Sequence, residues 1–330
     1  MKMKILTVGS INIDMVVKTQ RLPETGETIL SKSYHVIPGG KGANQAVAVS
    51  RMGAQSYLAG RVGDDVFGSM VLRNLKKEKV NVKHVLTDRK APTGTAFITV
   101  DEKGDNTIVV AGGANMRCCR EDVDGVEYLL KDTGMVLLQF EIPISTISSV
   151  VSMAEKYRVP VLLDPGPARK CPLSILRRVA FLSPNETETE ALTGIRVSSL
   201  KTAKKAAQKL LEMGVRNVVM KLGANGALLA SSKTGRHMEH IGGLKVRAVD
   251  STAAGDAFTG AFAVAFLETG NIYRAAGYAN YVGAMTVTKI GAQTSIPTRK
   301  QVDDFISTGH SARMVKWSYD KNRDVGILLP

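Results

Sequence analysis

The stretch Val249-Asp250-Ser251-Thr252-Ala253-Ala254-Gly255-Asp256-Ala257-Phe258 leads into an apolar run that continues to Leu267. It predicts a loop followed by a buried helix, with Asp256 in the first helical turn. The first N–H groups of a helix lack internal partners and carry partial positive charge, and small side chains let an anion approach them. Asp256 is then either a base for a hydroxyl that attacks a phosphoryl group or an ordinary acid in a first turn.

Four short apolar runs elsewhere in the chain are each followed by polar residues. The runs span 135–140, 161–163, 181–183 and 217–220, and the residues after them include Glu141, Asp164, Asn185 and Lys221. Near-continuous apolar runs indicate parallel strands buried on both faces, and open α/β sheets bind ligands at the carboxyl ends of such strands. With a first strand at 5–9 and another at 56–60, they predict a doubly wound α/β fold with a mainly parallel sheet. We also predict antiparallel strands at 226–230 and 244–249.

A second, smaller sheet is predicted from two extended segments. Residues 93–100 and 107–111 flank a turn and indicate a hairpin, which can join the extended chain around 11–37. Such a sheet over a pocket would act as a lid, so we predict a lid from segments 11–38 and 92–112 of a domain spanning 1–309. The basic segment 310–330 is a tail to which the sequence assigns no role.

Two polar features lie near the N-terminus. Asn12 and Asp14 are two residues apart, so they share one face of an extended chain; they either read ligand hydroxyls or face water from an edge strand. Gly39-Gly40-Lys41-Gly42-Ala43-Asn44-Gln45-Ala46 predicts a close backbone approach to a ligand, followed by a helix. Neither the Walker A spacing nor the GxGxxG fingerprint is present in that motif.

The composition limits the kinds of molecule that the protein is expected to bind. The 330 residues carry a formal charge of +14, which fits a nucleic-acid partner, an anionic small substrate or a basic proteome. Only 5% are aromatic, which argues against base-stacking platforms, and the lysines of 201–211 fall on the solvent side of a helix. We therefore expect no nucleic-acid partner. The chain has no run of 18 apolar residues, so no membrane span is expected, and Cys118, Cys119 and Cys171 suit reduced thiols of a cytoplasmic protein.

Taken together, the motifs resemble the ribokinases, a group within the PfkB carbohydrate-kinase family. The resemblance covers roughly residues 3–305, and Ser251 stands where the family commonly has Thr. Four motifs carry it in the family's order: Gly39-Gly40-Lys41-Gly42-Ala43-Asn44-Gln45-Ala46, Asn185-Glu186-Thr187-Glu188, Lys221-Leu222-Gly223-Ala224-Asn225-Gly226 and Asp250-Ser251-Thr252-Ala253-Ala254-Gly255-Asp256.

This resemblance implies transfer of the ATP γ-phosphoryl group to O5 of D-ribose, which gives D-ribose 5-phosphate and ADP. It implies that Asp256 is the catalytic base and that the N–H groups of Ala253, Ala254, Gly255 and Asp256 form an anion hole. It also implies a homodimer formed through the lid. The implied sugar-binding residues are Asn12, Asp14, Gly40, Lys41, Asn44, Glu141 and Asp256. Asn185 and Glu188 would face the phosphates and Mg²⁺, and the implied residues around adenosine are Lys221, Gly223, Gly226, Gly255 and Asn280.

A monovalent cation site is also implied by the resemblance. It maps onto Asp250, Thr252, Thr286, Lys289, Gly291 and Ser295. Most of these ligands would be backbone carbonyls, with side-chain oxygens from Asp250 and Ser295, and oxygen donors suit a hard cation such as K⁺.

Two alternatives stay open at the level of sequence. One is a kinase of the same fold that acts on deoxyribose, a ketohexose or a nucleoside. The other is a nucleic-acid-binding protein that has kept the fold, which the charge of +14 motivates.

Overall fold

A computed structural model gives the fold and describes residues 3–234 and 237–308. Within these residues the chain forms one sheet of nine strands and one of four. The predicted α/β fold, with a doubly wound, mainly parallel sheet and a separate smaller sheet, is thus confirmed. In chain order the strands are β1 (Lys4–Val8), β2 (Asn12–Lys18), β3 (Ser33–Gly39), β4 (Gln55–Gly63), β5 (Asn81–Asp88), β6 (Gly94–Val100), β7 (Asn106–Ala111), β8 (Met135–Gln139), β9 (Val161–Asp164), β10 (Phe181–Leu182), β11 (Asn217–Lys221), β12 (Ala227–Ser231) and β13 (Met238–Ile241).

The helices cover both faces of the larger sheet, which leaves its apolar strands buried on either side. They are α1 (Lys41–Arg51), α2 (Val66–Lys77), α3 (Arg120–Asp124), α4 (Ile144–Lys156), α5 (Leu173–Leu176), α6 (Glu186–Thr193), α7 (Leu200–Glu212), α8 (Ala254–Thr269), α9 (Ile272–Thr286) and α10 (Arg299–Ser307). Short 3-10 turns span Gly113–Arg117, Glu127–Asp132, Gly223–Asn225, Ser232–Thr234 and Gln293–Ser295.

The larger sheet has the strand order β13-β12-β11-β10-β9-β8-β1-β4-β5. Its strands from β11 through to β5 pair in parallel, and only β12 and β13 run antiparallel to their neighbours. Because parallel strands end at one edge, the polar residues after β8, β9, β10 and β11 come together there. This edge positions the candidate site.

Helix α8 is the most buried helix at that edge. It is apolar on all sides and packs between α1 and α9, which explains the long apolar run that follows Asp256. A side-chain carbon at Gly260 would lie 2.6 Å from the Cβ of Ala48 on α1. Glycine is therefore required for the close approach of α1 and α8.

The smaller sheet has the order β3-β2-β6-β7. It combines the predicted hairpin, β6 and β7, with the extended N-terminal segment, and β2 pairs with both β3 and β6. All six residues of β7 are exposed. Asn12 lies at the start of β2, where the smaller sheet meets the larger one.

One strand prediction was wrong. In the described part of the chain, the second antiparallel strand is β13, and residues 244–249 contain only an isolated bridge at Leu244. This segment instead lines a cavity beside α8 and does not continue alongside the edge strand β13. The predicted tail at 310–330 lies outside the described residues.

The helix lengths and the cysteines bear on the membrane and disulfide predictions. Across residues 3–234 and 237–308, no helix is both long and apolar enough to cross a bilayer. Cys118, Cys119 and Cys171 are free thiols, and Cys118 is buried.

Candidate active site

A cavity of about 580 Å³ opens at the carboxyl edge of the larger sheet, beside the N-terminus of α8. Its size is that of a small-molecule site. Many of the residues singled out in the sequence line it: Lys41, Asn185, Lys221, Gly223, Gly226, Ala253, Ala254, Gly255, Asp256 and Asn280.

The loop before α8 has the shape of an anion-binding turn. Ala253 is the N-cap residue and has φ 61°, a left-handed conformation that costs a non-glycine residue about 1 kcal/mol. The N–H groups of Gly255 and Asp256 have no acceptor among the described residues. Free N–H groups at the start of a helix provide a site for a phosphate oxygen.

Asp256 is buried in the first turn of α8 and is held by three side chains of α1. Its Oδ2 accepts a hydrogen bond from Asn44 Nδ2 at 3.0 Å, and its Oδ1 accepts one from Gln45 Nε2 at 3.2 Å. Lys41 Nζ lies 3.7 Å from Oδ1. These contacts fix the carboxylate in one orientation, next to both the cavity and the glycine-rich motif.

Asn44 is itself oriented by a chain of amides. Its Oδ1 accepts a hydrogen bond from Gln293 Nε2 at 3.2 Å, and Gln293 Oε1 accepts one from Asn74 Nδ2 at 2.6 Å. Each amide thus determines which end of the next one donates. As a result, Asn44 turns its NH₂ group towards Asp256.

Asp164, at the end of β9, is the centre of a second charged group. It is completely buried, and its Oδ2 contacts Lys221 Nζ at 2.7 Å and Thr259 Oγ1 at 3.1 Å. Gln45 Nε2 lies 3.3 Å from the same oxygen, and Lys41 Nζ lies 3.7 Å from Oδ1. Burial would raise the pKa of Asp164, but the two ammonium groups reverse this and lower it.

Lys41, the first residue of α1, lies among several carboxylates. Besides Asp164 and Asp256, its Nζ is 3.9 Å from Glu188 Oε1. Burial lowers the pKa of the Lys41 ammonium, but these carboxylates outweigh burial and raise it well above its ordinary value. Lys41 therefore stays protonated and offers positive charge beside the cavity.

The remaining predicted sugar-binding residues lie on the other side of Lys41. Burial, with the charges of Glu141 and Asp256, raises the pKa of Asp14 to about 7. Burial also raises the pKa of Glu141, although Lys41 and a hydrogen bond from Ser10 partly offset it. The Asp14 carboxylate accepts no hydrogen bond from the described residues and is thus free to bind hydroxyls.

The glycines of this motif leave room for those acids. Gly40 has φ 88°, and a side chain there would lie 2.7 Å from the backbone nitrogen of Asn12. A side chain at Gly39 would lie 2.2 Å from Asp14 Oδ2. Both positions therefore require glycine.

Asn185 and Glu188 begin α6 with a capping box. Asn185 Oδ1 accepts from the Glu188 N–H, and Glu188 Oε2 accepts from the Asn185 N–H, both at 2.8 Å. Burial and the charge of Asp164 raise the pKa of Glu188. Glu188 Oε1 is left facing Lys41, so one oxygen of this acid can still bind a metal-held water.

The far end of the cavity is formed by backbone. Gly226 has φ 88°, and a side chain there would lie 2.1 Å from the carbonyl oxygen of Ile241. Asn280 on α9 donates from Nδ2 to the carbonyl of Gly242 at 3.2 Å. The close approach at Gly226 and the hydrogen bond from Asn280 keep the turn 223–226 next to residues 241–243. The backbone of these two segments forms an uncharged surface, which suits a flat heterocycle.

The six residues of the implied cation site come from two loops that the structure joins through Asp250. Its Oδ2 accepts from the Gly291 N–H at 2.8 Å and its Oδ1 from the Thr252 N–H at 2.9 Å. Burial would raise the pKa of Asp250, but these bonds lower it. Ser295 is fully buried, and Thr286 accepts a backbone bond from Lys289 at 3.3 Å. The donors available in both loops are oxygens.

Several residues of this network were not assigned from the sequence: Gln45, Asn115, Asp164, Thr259 and Gln293. Gln45 lies within the glycine-rich motif, and Asp164 directly follows a predicted strand. Their positions in the sequence were therefore the only signal for a role in the site. Asn115 and Gln293 lie in short 3-10 turns with no local pattern to mark them. Only their contacts, with Asn12 and Asn44 respectively, identify them.

Comparison with known proteins identifies the family of this chain. The family model for pfkB family carbohydrate kinase matches residues 2–299. The ribokinase of Haemophilus influenzae is 37% identical over 304 residues, which cover 92% of this chain and 98% of the relative. The deoxyribokinase of Salmonella typhi is 34% identical over 307 residues, covering 92% and 99%.

A solved structure shows the same fold. Arabidopsis thaliana ribokinase, complexed with ribose and ATP, superposes with a TM-score of 0.86 and 35% identity over 92% of this chain and 98% of its own. The chain therefore belongs to the pfkB family of carbohydrate kinases.

Proposed function

We propose that the protein phosphorylates D-ribose at O5 with ATP and releases D-ribose 5-phosphate and ADP. The observation that carries this proposal is the position of Asp256. It lies at the free N-terminus of α8, between a cavity of nucleotide size and the hydroxyl-binding side chains of Asn12, Asp14 and Glu141.

Asp256 acts as the base. The O5 hydroxyl gives its proton to Asp256 as O5 bonds to the γ-phosphorus, and the bond from that phosphorus to the β-bridging oxygen breaks to release ADP. The N–H groups of Gly255 and Asp256 donate to the transferring phosphoryl oxygens, and Lys41 neutralises further charge. Asn44 and Gln45 keep the carboxylate aimed at the hydroxyl.

ATP binds in the cavity of about 580 Å³. Its adenosine lies against the turn containing Gly223 and Gly226 and against Asn280, and its phosphates point to Lys221, Asn185 and Gly255. Glu188 would hold Mg²⁺ through water beside the phosphates, and the ion would supply additional charge neutralisation. Glu188 Oε1, which accepts no hydrogen bond from the described residues and lies 3.9 Å from Lys41 Nζ, is the donor that fits this role.

The two loops joined by Asp250 hold a monovalent cation such as K⁺. Carbonyl, hydroxyl and carboxylate oxygens are the donors that such a cation takes. Because Asp250 bonds to the N–H of Thr252, one residue before Ala253, an ordered cation site stabilises the shape of the anion-binding turn. The lysine side chain of Lys289 takes no part, since its carbonyl would be the ligand.

The smaller sheet serves as the lid and as the contact for a second copy. Phe97 and Val109, which pair across β6 and β7, expose apolar side chains on one face of this sheet, and Ile108 and Val110 expose theirs on the opposite face. A face of this kind on the two strands β6 and β7 is typical of an interface. Sedimentation equilibrium of the wild type and of Val109→Lys tests the homodimer, which the substitution should dissociate.

The base assignment is tested with Asp256→Asn. We expect kcat to fall by at least about 10³-fold, because proton acceptance is lost, while Kd for ATP changes by less than about twofold. Asp303→Asn, on the exposed face of α10, is the control and should leave both values unchanged. Near-normal kcat in Asp256→Asn contradicts the assignment.

The substrate is tested by ADP release across a panel of ribose, 2-deoxyribose, fructose and adenosine, with K⁺ and with choline as the only monovalent cation. Ribose should give the highest kcat/KM, and K⁺ should raise kcat. A kinase for deoxyribose is the main alternative, because a deoxyribokinase is 34% identical to this chain. A nucleic-acid-binding role is not favoured, since the family model and the curated relatives that match this chain are carbohydrate kinases.

A further inference from the structure

Asn115 is a buried asparagine that lies behind the sugar-binding side chains. It sits in the 3-10 turn Gly113–Arg117, and 1% of its surface is exposed. Its Oδ1 accepts a hydrogen bond from the Ile11 N–H at 2.9 Å, and its Nδ2 donates to the Ile11 carbonyl at 3.2 Å. Because the backbone N–H can only donate and the carbonyl only accept, these two bonds fix the orientation of the Asn115 amide.

The fixed amide of Asn115 in turn fixes Asn12. Asn115 Nδ2 also donates to Asn12 Oδ1 at 2.6 Å, so the carbonyl end of Asn12 is held and its NH₂ group points the other way. That NH₂ group has no acceptor within residues 3–234 and 237–308. Asn12 and Asp14 lie on the same face of β2, so the free donor faces the side where hydroxyls bind.

Gly94 makes room for this pair of amides. A side-chain carbon at Gly94 would lie 2.2 Å from Asn115 Nδ2 and 2.4 Å from Asn12 Oδ1. No larger residue fits without separating the two side chains. The bond between Asn115 and Asn12 can therefore be disturbed from either side, by removing the donor or by filling the space over Gly94.

We propose that Asn115 is a positioning residue that makes the site select a sugar with a 2-hydroxyl over its 2-deoxy analogue. It does so by holding the Asn12 NH₂ group as a preorganised donor to that hydroxyl, and the inference rests on the proposed function. A 2-deoxy sugar leaves the buried donor unpaired, which a site of this kind penalises strongly. Without Asn115 the Asn12 amide can rotate and exchange the positions of its oxygen and its NH₂ group. The NH₂ group then no longer faces the 2-hydroxyl in every molecule.

The test compares kcat/KM for ribose with kcat/KM for 2-deoxyribose in four proteins: the wild type, Asn115→Ala, Gly94→Ala and the control Asn217→Ala. We expect both Asn115→Ala and Gly94→Ala to lower the ribose preference about tenfold, the size of one hydrogen bond's contribution. Asn217 is a matched control, because its Nδ2 also bonds a backbone carbonyl, that of Ala180, at 2.8 Å. It is the first residue of β11, whereas the site lies at the carboxyl ends of these strands, so the substitution should leave the preference unchanged.

With the single variant Asn12→Ala as a fifth protein, the double variant Asn12→Ala with Asn115→Ala tests whether the two residues act as one unit. Its ribose preference should equal that of Asn12→Ala alone, because Asn115 acts only through Asn12. An additional loss in the double variant would overturn the proposal.

The remaining outcomes are also decisive. If kcat/KM for the two sugars falls by the same factor in Asn115→Ala and Gly94→Ala, Asn115 is only structural and the proposal is wrong. If Asn115→Ala does not fold, Gly94→Ala decides, because it keeps the Asn115 side chain and only fills the space between the two amides. A wild type that phosphorylates both sugars equally refutes the selection and leaves the kinase function standing, whereas a wild type inactive on both refutes the function itself.

Discussion

Replacing Lys221 with methionine isolates the buried ion pair at the centre of the site. Lys221 Nζ is 2.7 Å from Asp164 Oδ2, and Asp164 is completely buried. Methionine has similar length but no charge, so the substitution leaves Asp164 with Thr259, Gln45 and the more distant Lys41. Removing one partner of a buried pair costs about 3–5 kcal/mol. Because Lys41 still lies 3.7 Å away, we expect the lower end, about 3 kcal/mol.

The assay is urea unfolding without ATP at several pH values. The pKa of Asp164 is lowered in the folded protein, so its contribution to stability is present above the unfolded pKa of about 3.9 and is lost as pH falls through the lower folded value. In Lys221→Met the pKa of Asp164 rises, and the carboxyl takes up a proton at higher pH. The cost of the substitution should therefore shrink between pH 8 and pH 5.

Two control variants complete this experiment. Lys156→Met breaks an exposed pair with Glu127, 2.7 Å apart, and should change the free energy of unfolding little, because water screens exposed ion pairs. Adding Asp164→Asn to Lys221→Met removes the stranded charge and keeps the bonds from Thr259 and Gln45, so most of the lost stability should return. A cost below about 1 kcal/mol at pH 8, or no recovery in the double variant, would refute the reasoning.

Two further predictions concern the acids on either side of Lys41. The pKa of Asp14 is about 7 in the folded protein and about 3.9 when unfolded, so between these values the folded state holds more proton and stability falls as pH rises. Asp14→Asn should therefore gain in unfolding free energy relative to the wild type between pH 5 and pH 8, and a constant difference would show that the carboxyl titrates normally. Gln293→Ala removes the hydrogen bond to the Asn44 carbonyl and should lower kcat about tenfold, because Asp256 is then held less firmly. Kd for ATP should stay within about twofold of the wild-type value. Unchanged kcat in steady-state assays would show that the chain of amides does not position Asp256.

Much of the fold follows from local patterns. The strands β1, β4, β8, β9, β10 and β11 coincide with apolar runs, and the hairpin of β6 and β7 coincides with its turn signal. The strand predicted at 244–249 fails for a tertiary reason. Its residues line the cavity beside α8 and do not continue alongside the edge strand β13.

The sequence by itself determined the edge at which the site forms, because parallel strands must end together and the polar residues follow each strand. It also determined that Asp256 begins a buried helix, since small residues precede an apolar run. Only the tertiary structure decided how the side chains are oriented. Asp164 and Lys221 are 57 positions apart, and Asn12 and Asn115 are 103 apart. A hydrogen bond requires atoms within about 3 Å, and no local pattern encodes which distant amide or charge will arrive at that distance.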